Sequence, residues 1–454
     1  MNVIYLHSHD TGRYVQPYGY PVPTPNLQRL AEEGVLFRQA FTVAPTCSPS
    51  RAALLTGQYP HVCGQLGLAN RGFSLRDTHK HLAHTLHDAG YFTALFGIQH
   101  VHHDATLLGY DLLVETNALT GEYDAVARTD DAIDFLRNPP AQPFLMTVGY
   151  FETHRTFPTP GPDDDPRYVR PPAPLPDTPA TRADMAAFTT MARTLDACYG
   201  RILAALDESG LADDTLVICT TDHGLAFPWM KCNLTDHGTG VLLILRGPKG
   251  FSGGRVIDAM VTHLDIYPTV CELAGIDAPD WLQGKTLTGL ATGAVDQLHE
   301  QIFGEVTYHA AYQPMRSVRT NRWRYIRRYG DRSTPTLANI DDSPSKALLL
   351  EHGLTGHKLM GEELYDLLFD PNESNNLAAR PEQRATLDEL RGHLNRWMFE
   401  TDDPLLMGPV PAAEGALVNP FDDRSPNDIN RHGGPVSQPT RPKYDDLRTP
   451  RAEA

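Results

Sequence analysis

The chain has 454 residues, 41% of them hydrophobic, and a formal net charge of −17 at pH 7. That length buries a large core and exceeds the usual size of one domain, while the acidic balance argues against nucleic acid, whose phosphates need a basic surface. The six cysteines sit at irregular spacing without a disulfide framework, and no apolar span is long enough for a membrane helix. Met1 leads straight into the first strand with no room for a signal peptide, so a soluble, cytoplasmic protein is expected.

Asn2 to His7 is a short apolar run that reads as a buried strand, and it ends in Ser8-His9-Asp10-Thr11-Gly12. Thr24-Pro25 opens a helix through Glu33 that Gly34 stops, and strand-like Val35 to Phe37 follows. Next comes Cys47-Ser48-Pro49-Ser50-Arg51, continued by Leu55-Thr56-Gly57, Pro60 and Gly64. Pro49 suits the first helical position and Gly57 the position just past the end, so residues 48–56 read as a short helix with Cys47 at its start. Backbone N–H groups and the positive end of the helix dipole favour an oxyanion there. Arg51 lies one turn on, where its guanidinium is expected to fold back towards Cys47.

The run from Cys47 to Gly64 resembles the signature of the type I sulfatases, Cys-x-Pro-x-Arg followed by Leu-Thr-Gly-x-x-Pro-x-x-x-Gly. These are formylglycine-dependent enzymes of the alkaline phosphatase superfamily. The resemblance implies that a formylglycine-generating enzyme oxidises Cys47 to 3-oxoalanine (formylglycine), whose hydrate uses one hydroxyl to attack sulfur and the other to expel sulfate. It also implies one divalent metal ion, held by Asp10, Asp222, His223, His9 and the atom at position 47. His9 stands where the family has an aspartate; oxygen ligands suit Ca2+ or Mg2+ and imidazole pulls towards Mn2+ or Zn2+, so all four remain open.

Further along, His79, His81, His84 and His87 spread over more than one face of a helix at about 76–89 and read as surface or supporting residues. The strand Tyr91 to Phe96 leads into Gly97-Ile98-Gln99-His100, similar to the family's Gly-Lys-x-His turn but with Ile98 in place of lysine. The resemblance makes His100 the base for the second hydroxyl. His100-Val-His102-His103-Asp104 also contains the His-x-His-x-Asp core of a binuclear zinc motif, but Ala105 stands where that motif needs a histidine. A helix over 125–137 and the buried strand Phe144 to Phe151 follow, ending in Glu152-Thr153-His154-Arg155; by resemblance His154 binds the sulfate or protonates the leaving oxygen. The Pro- and Asp-dense stretch 156–181 is a surface excursion expected at the substrate rim. After a helix over 182–209, the strand Thr215 to Thr221 ends in Asp222-His223-Gly224, and Lys231 lies beyond it, where the resemblance has it neutralise ester oxygens.

Strands alternating with helices predict an α/β fold. The expected form is a large mixed, mostly parallel sheet sandwiched by helices, alkaline-phosphatase-like, with a smaller C-terminal α+β subdomain. Parallel strands bring their carboxyl ends to one crevice, so the distant segments can converge. Short strands at 301–307, 315–319 and 323–326, then Glu363-Leu-Tyr-Asp and Asp370-Pro371 through Asn376-Leu377, resemble the family's closing element; a helix near 381–399 completes it. The expected division is a catalytic domain over 1–298, a four-stranded sheet with helix over 299–400, and an extended tail over 401–454 laid on a neighbouring subunit of a homodimer or higher oligomer. Ala180 to Asp184 and Asp214-Thr-Leu-Val look closest to the N-sulfoglucosamine sulfohydrolase branch, which implies a small sulfate ester or sulfated sugar, sulfamates included. A formylglycine-dependent phosphonate monoester or phosphodiester hydrolase is the alternative that Ile98 keeps open.

Overall fold

Strand β1 (Asn2–Ser8) is buried along its whole length because apolar cores lie on both of its faces. Val3 and Tyr5 join one core, Ile4 and Leu6 the other, as the two-residue period of a strand requires. The computed structural model describes residues 1–115 and 124–432. Within it β1 is a central strand of an eight-stranded sheet, with β2 (Val35–Phe41), β3 (Phe92–Gly97), β4 (Leu112–Glu115), β5 (Phe144–Gly149), β6 (Thr215–Thr221), β7 (Leu243–Arg246) and β8 (Arg255–Thr262). The order is β4-β3-β5-β1-β6-β7-β2-β8. Pairing is parallel throughout except at β7, which runs antiparallel to both β6 and β2.

Helices cover both faces, as a mostly parallel sheet needs. Pro25–Glu33, Ala125–Arg137 and the long Pro179–Glu208 pack on the core containing Ile4 and Leu6. Cys47–Thr56, Leu82–Asp88 and Ile266–Ala274 pack on the other. A second, antiparallel sheet follows in the order β12-β11-β10-β9, from β9 (Gln301–Tyr308), β10 (Tyr312–Thr320), β11 (Trp323–Arg328) and β12 (Glu362–Asp366). The helix Arg384–Glu400 lays Leu387, Leu390, Leu394 and Trp397 on Val318, Tyr325 and Leu364 of that sheet, the i, i+3, i+7 spacing of one helical face.

The structure corrects the expected tail. Residues 404–432 lie on the chain's own surface: Lys346 Nζ donates to Arg424 O at 2.6 Å, and Asn419 N donates to Ala310 O at 2.8 Å. The rest of the expected arm, 433–454, lies outside the described residues. Among the described residues no helix is long and apolar enough to cross a membrane, and all six cysteines are free and buried.

Candidate active site

The strand order decides what meets at the carboxyl ends. Because β1 lies between β5 and β6, the loop after β1 is stitched to both neighbours. His9 N donates to Glu152 O (2.9 Å), Thr153 N to His9 O (2.7 Å), Gly12 N to His223 O (2.9 Å), and Asp10 N to Asp222 Oδ1 (2.8 Å). Asp10 and His100 both have left-handed backbones, with φ of 54° and 52°, a conformation that non-glycine residues hold only when their surroundings enforce it. The exit of β3 crosses so close to β5 that a Cβ on Gly149 would sit 1.9 Å from Ile98 O. The nucleophile helix begins one residue earlier than expected, at Cys47, with Thr46 before it, so Pro49 is its third residue. No N–H is lost there, since the first four of a helix lack intrahelical partners. Ser50 Oγ ties this helix to the β6 end by donating to Asp222 O at 2.5 Å.

Asp10, Cys47, Asp222 and His223 each present one ligand atom within 4.8 Å of the others, and all four are buried. The donor set fits a divalent cation. Asp10 Oδ1 is buried with no hydrogen-bond partner, a carboxylate oxygen that burial would penalise unless a cation took it up. His223 Nδ1 lies 3.0 Å from Gly224 O, which can only accept, so Nδ1 carries the hydrogen and Nε2 turns a lone pair towards Cys47 Sγ (3.4 Å) and Asp10 Oδ1 (3.3 Å).

His9 is not in this group. Its Nδ1 donates to Tyr150 O at 2.8 Å, and its ring stands 5.8 Å from those of His100 and His154. The expectation of a fifth ligand is therefore corrected: the backbone of the β5 exit turns the imidazole towards the two other histidines. Burial and the nearby Arg51 hold His9 well below the usual histidine range, so it is neutral. Arg51 reaches back to the cluster by way of Asp222. Its Nη2 donates to Asp222 Oδ2 and Ser8 O, each at 2.8 Å, and Nη1 meets His7 Nδ1 at 2.5 Å. It thus braces the ligand Asp222 from behind. Against the penalty of burial, the Arg51 guanidinium and the hydrogen bond from Asp10 N hold Asp222 well below the usual carboxylate range.

Lys231 comes to the opposite side of the cluster, 3.1 Å from both Asp10 Oδ2 and Asp341 Oδ2 and 3.5 Å from His154 Nε2. Burial disfavours its charge, but Asp10 and Asp341 outweigh it and push the lysine well up. His154 Nδ1 donates to Arg155 O at 2.6 Å, which leaves Nε2 free to accept from Lys231. His100 stands at the pocket wall with Nε2 3.3 Å from Asn70 Oδ1; burial, then Arg51 and His154, push it down to about 3. Burial pushes the Cys47 thiol well up, although Lys231 opposes this, so the cysteine as encoded is a neutral thiol and a poor nucleophile.

These groups open on one cavity of about 490 Å³, lined by Cys47, His9, His100, His154 and Lys231 at its base and by Asn70, Arg71, Ile98, His309, Pro426 and Asn427 further out. Of the excursion over 156–181, only Thr156 reaches it, beside Arg155. His102 and Asp104 do not join His100 in a metal group: His102 Nδ1 lies 2.9 Å from Asp104 O and 3.1 Å from Asp104 N, and Asp104 Oδ1 accepts from Thr106 N at 3.0 Å. Sequence reasoning missed His309, Asp341 and Arg71. His309 follows directly on β9, so the rule that flagged the ends of β1, β3, β5 and β6 would have found it.

A family model described as Sulfatase matches residues 1–276, and one described as N-sulphoglucosamine sulphohydrolase, C-terminal, matches residues 228–350. The chain is 31% identical to the N-sulphoglucosamine sulphohydrolase of Homo sapiens, over 87% of this chain and 89% of that protein. It is 24% identical to an ulvan-active sulfatase of Formosa agariphila, over 88% and 75%. Among solved structures, a 2-O GAG sulfatase aligns with a TM-score of 0.69 at 22% identity, covering 91% of this chain and 95% of that one. Another, in complex with its substrate D-glucosamine-2-N,6-O-disulfate, aligns with a TM-score of 0.66 at 19% identity, covering 90% and 99%.

Proposed function

The chain belongs to the sulfatase family and is a sulfatase, and from that premise we propose that it hydrolyses a sulfate ester or sulfamate of a small sugar at Cys47, after conversion of that residue to formylglycine. The observation that carries the reading is the buried meeting of Asp10, Cys47, Asp222 and His223 at the start of a helix whose N–H groups face an incoming anion. A divalent ion held by these four would supply Lewis-acid stabilisation of charge on the sulfuryl oxygens, and the hydrated aldehyde would supply the attacking hydroxyl.

The chain's own residues divide the remaining work. Lys231, kept protonated by Asp10 and Asp341, offers Nζ to an ester oxygen. His154, whose Nε2 lies 3.5 Å from it, is placed to take a proton from Lys231 and pass it to the leaving oxygen or nitrogen. His100 is neutral near pH 7 and can take the proton of the second hydroxyl, which releases sulfate. Ile98, at the pocket wall where the sulfatase motif has a lysine, leaves Lys231 and the divalent ion as the main positive charge at the base of the cavity. A sulfate monoester, with a single charge, suits that modest complement of cations.

The test is the mass of the tryptic peptide Gln39–Arg51 from protein produced with a formylglycine-generating enzyme, followed by sulfate release from aryl sulfate, N-sulfated and O-sulfated glucosamine and a phosphonate monoester. Exchange of thiol for aldehyde with release of sulfate supports the reading. An unmodified thiol, or ordinary activity in Cys47→Ala, would overturn the nucleophile assignment.

A further inference from the structure

Among the described residues, the buried cation Arg71 has no counter-ion. It is 7% exposed and lines the same cavity as Cys47. Its Nη1 donates to Asn419 Oδ1 (2.7 Å) and, more weakly, to Ala310 O (3.4 Å) and Leu417 O (3.5 Å); Nη2 donates to Pro426 O (2.9 Å). All four acceptors are neutral, and Nε makes no hydrogen bond among the described residues. The other cations of the cavity are compensated: Lys231 by Asp10 and Asp341, Arg155 by both oxygens of Asp184. Burial alone shifts Arg71, down to about 10, and no carboxylate among the described residues counters it. Buried charges in folded proteins are paired, so an unpaired guanidinium in the wall of a binding cavity calls for a counter-charge brought by the ligand.

Two further observations place it relative to the reaction. Ala69 N donates to Ser48 Oγ at 2.9 Å, which fixes the turn Ala69–Arg71 against the first residues of the nucleophile helix. The segment that Arg71 clamps, Leu417 to Asn427, is also held by Lys346 through Arg424 O and by Asp342 through Ser425, and it brings Pro426 and Asn427 to the cavity.

We propose that Arg71 is the counter-charge for a second anionic group of the substrate, a carboxylate or a second sulfate, and that the C-terminal segment it clamps forms the wall against which that group docks. The proposal rests on the sulfatase reading of Cys47. A guanidinium with Nε–H and one Nη2–H still to place matches two oxygens of such a group.

The experiment is calorimetric titration of Cys47→Ala protein, supplied with Ca2+ or Mn2+, with two matched pairs: glucosamine 2-N-sulfate against 2-N,6-O-disulfate, and glucose 2-sulfate against glucuronate 2-sulfate. At least one dianion is expected to bind roughly 10- to 100-fold more tightly than its partner, the size of a charge-assisted contact to a buried group. Arg71→Gln should remove that preference and leave the monoanions unchanged. A preference that survives Arg71→Gln overturns the proposal, and so does equal weakening of both members of a pair, the mark of a purely structural clamp. Equal affinities in the parent protein overturn it without any change at Arg71, should that variant not fold. Binding of no sulfated ligand would sink the reading of Cys47 along with it.

Discussion

His223 Nε2 stands 3.4 Å from Cys47 Sγ, and the hydrogen bond of its Nδ1 to Gly224 O fixes which nitrogen carries the lone pair. The imidazole thus reaches position 47 in the tautomer a metal needs. His223→Ala should lower affinity for the divalent ion at least tenfold and kcat/KM by about 10²-fold or more, since even residues that only support a ligand cost 10- to 100-fold. Metal content after dialysis and steady-state kinetics check this. Full metal occupancy in the variant would remove His223 from the ligand set.

Lys231 contacts both Asp10 and His154. In Lys231→Met two buried carboxylates, Asp10 and Asp341, lose their partner. The loss of charge stabilisation at the ester should lower kcat by about 10² to 10³. Lys231→Arg should recover part of it. A fall in kcat below tenfold, measured on an aryl sulfate, would assign Lys231 to structure alone.

How much of this was legible follows from where each residue sits. Asp10, Asp222, His100 and His154 each end an apolar run, so the strand-end rule found them and the parallel order brought them together. The same rule could not say which way His9 points, because its direction is set by Tyr150 O, a backbone atom 141 residues away. Arg51 was read from helix spacing, which gives its turn but not its partner Asp222. Asp341 and Arg71 lie in irregular segments without periodicity, and their roles arise only from tertiary contacts with Lys231 and with the C-terminal segment.

Asp236 joins the loop that carries Lys231 to the second sheet. Its two oxygens accept from Arg319 Nε (2.8 Å) and Nη2 (2.9 Å), and Arg324 also pairs with it. Burial works against this carboxylate, but the two arginines hold it well below the usual range. Asp236→Ala leaves both guanidinium groups without it in a buried setting, and should cost about 3 to 5 kcal/mol of unfolding free energy. Urea denaturation measures it directly. A change under about 1 kcal/mol would mean that Glu373, beside Arg324, compensates by itself.

His81, expected among surface or supporting residues, is instead buried and caps the helix Leu82–Asp88: its Nδ1 accepts from Ala83 N at 3.2 Å. An acceptor nitrogen must be unprotonated. Burial, with His84 adding to it, pushes His81 down to about 3. An unfolded histidine titrates near 6.5, so between these values the unfolded chain binds the extra proton and the folded chain does not. Stability therefore rises with pH across that window and is lost as pH falls from about 6.5 towards 3, at up to about 1.4 kcal/mol per pH unit for one such group. Other buried histidines add the same sign, so the contribution of His81 is isolated by difference. His81→Asn keeps an acceptor for the Ala83 N–H and removes the titration. Urea midpoints between pH 5 and 7.5 should fall more steeply with acid in the parent than in the variant; parallel curves would show that His81 takes up its proton as readily in the folded chain as in the unfolded one.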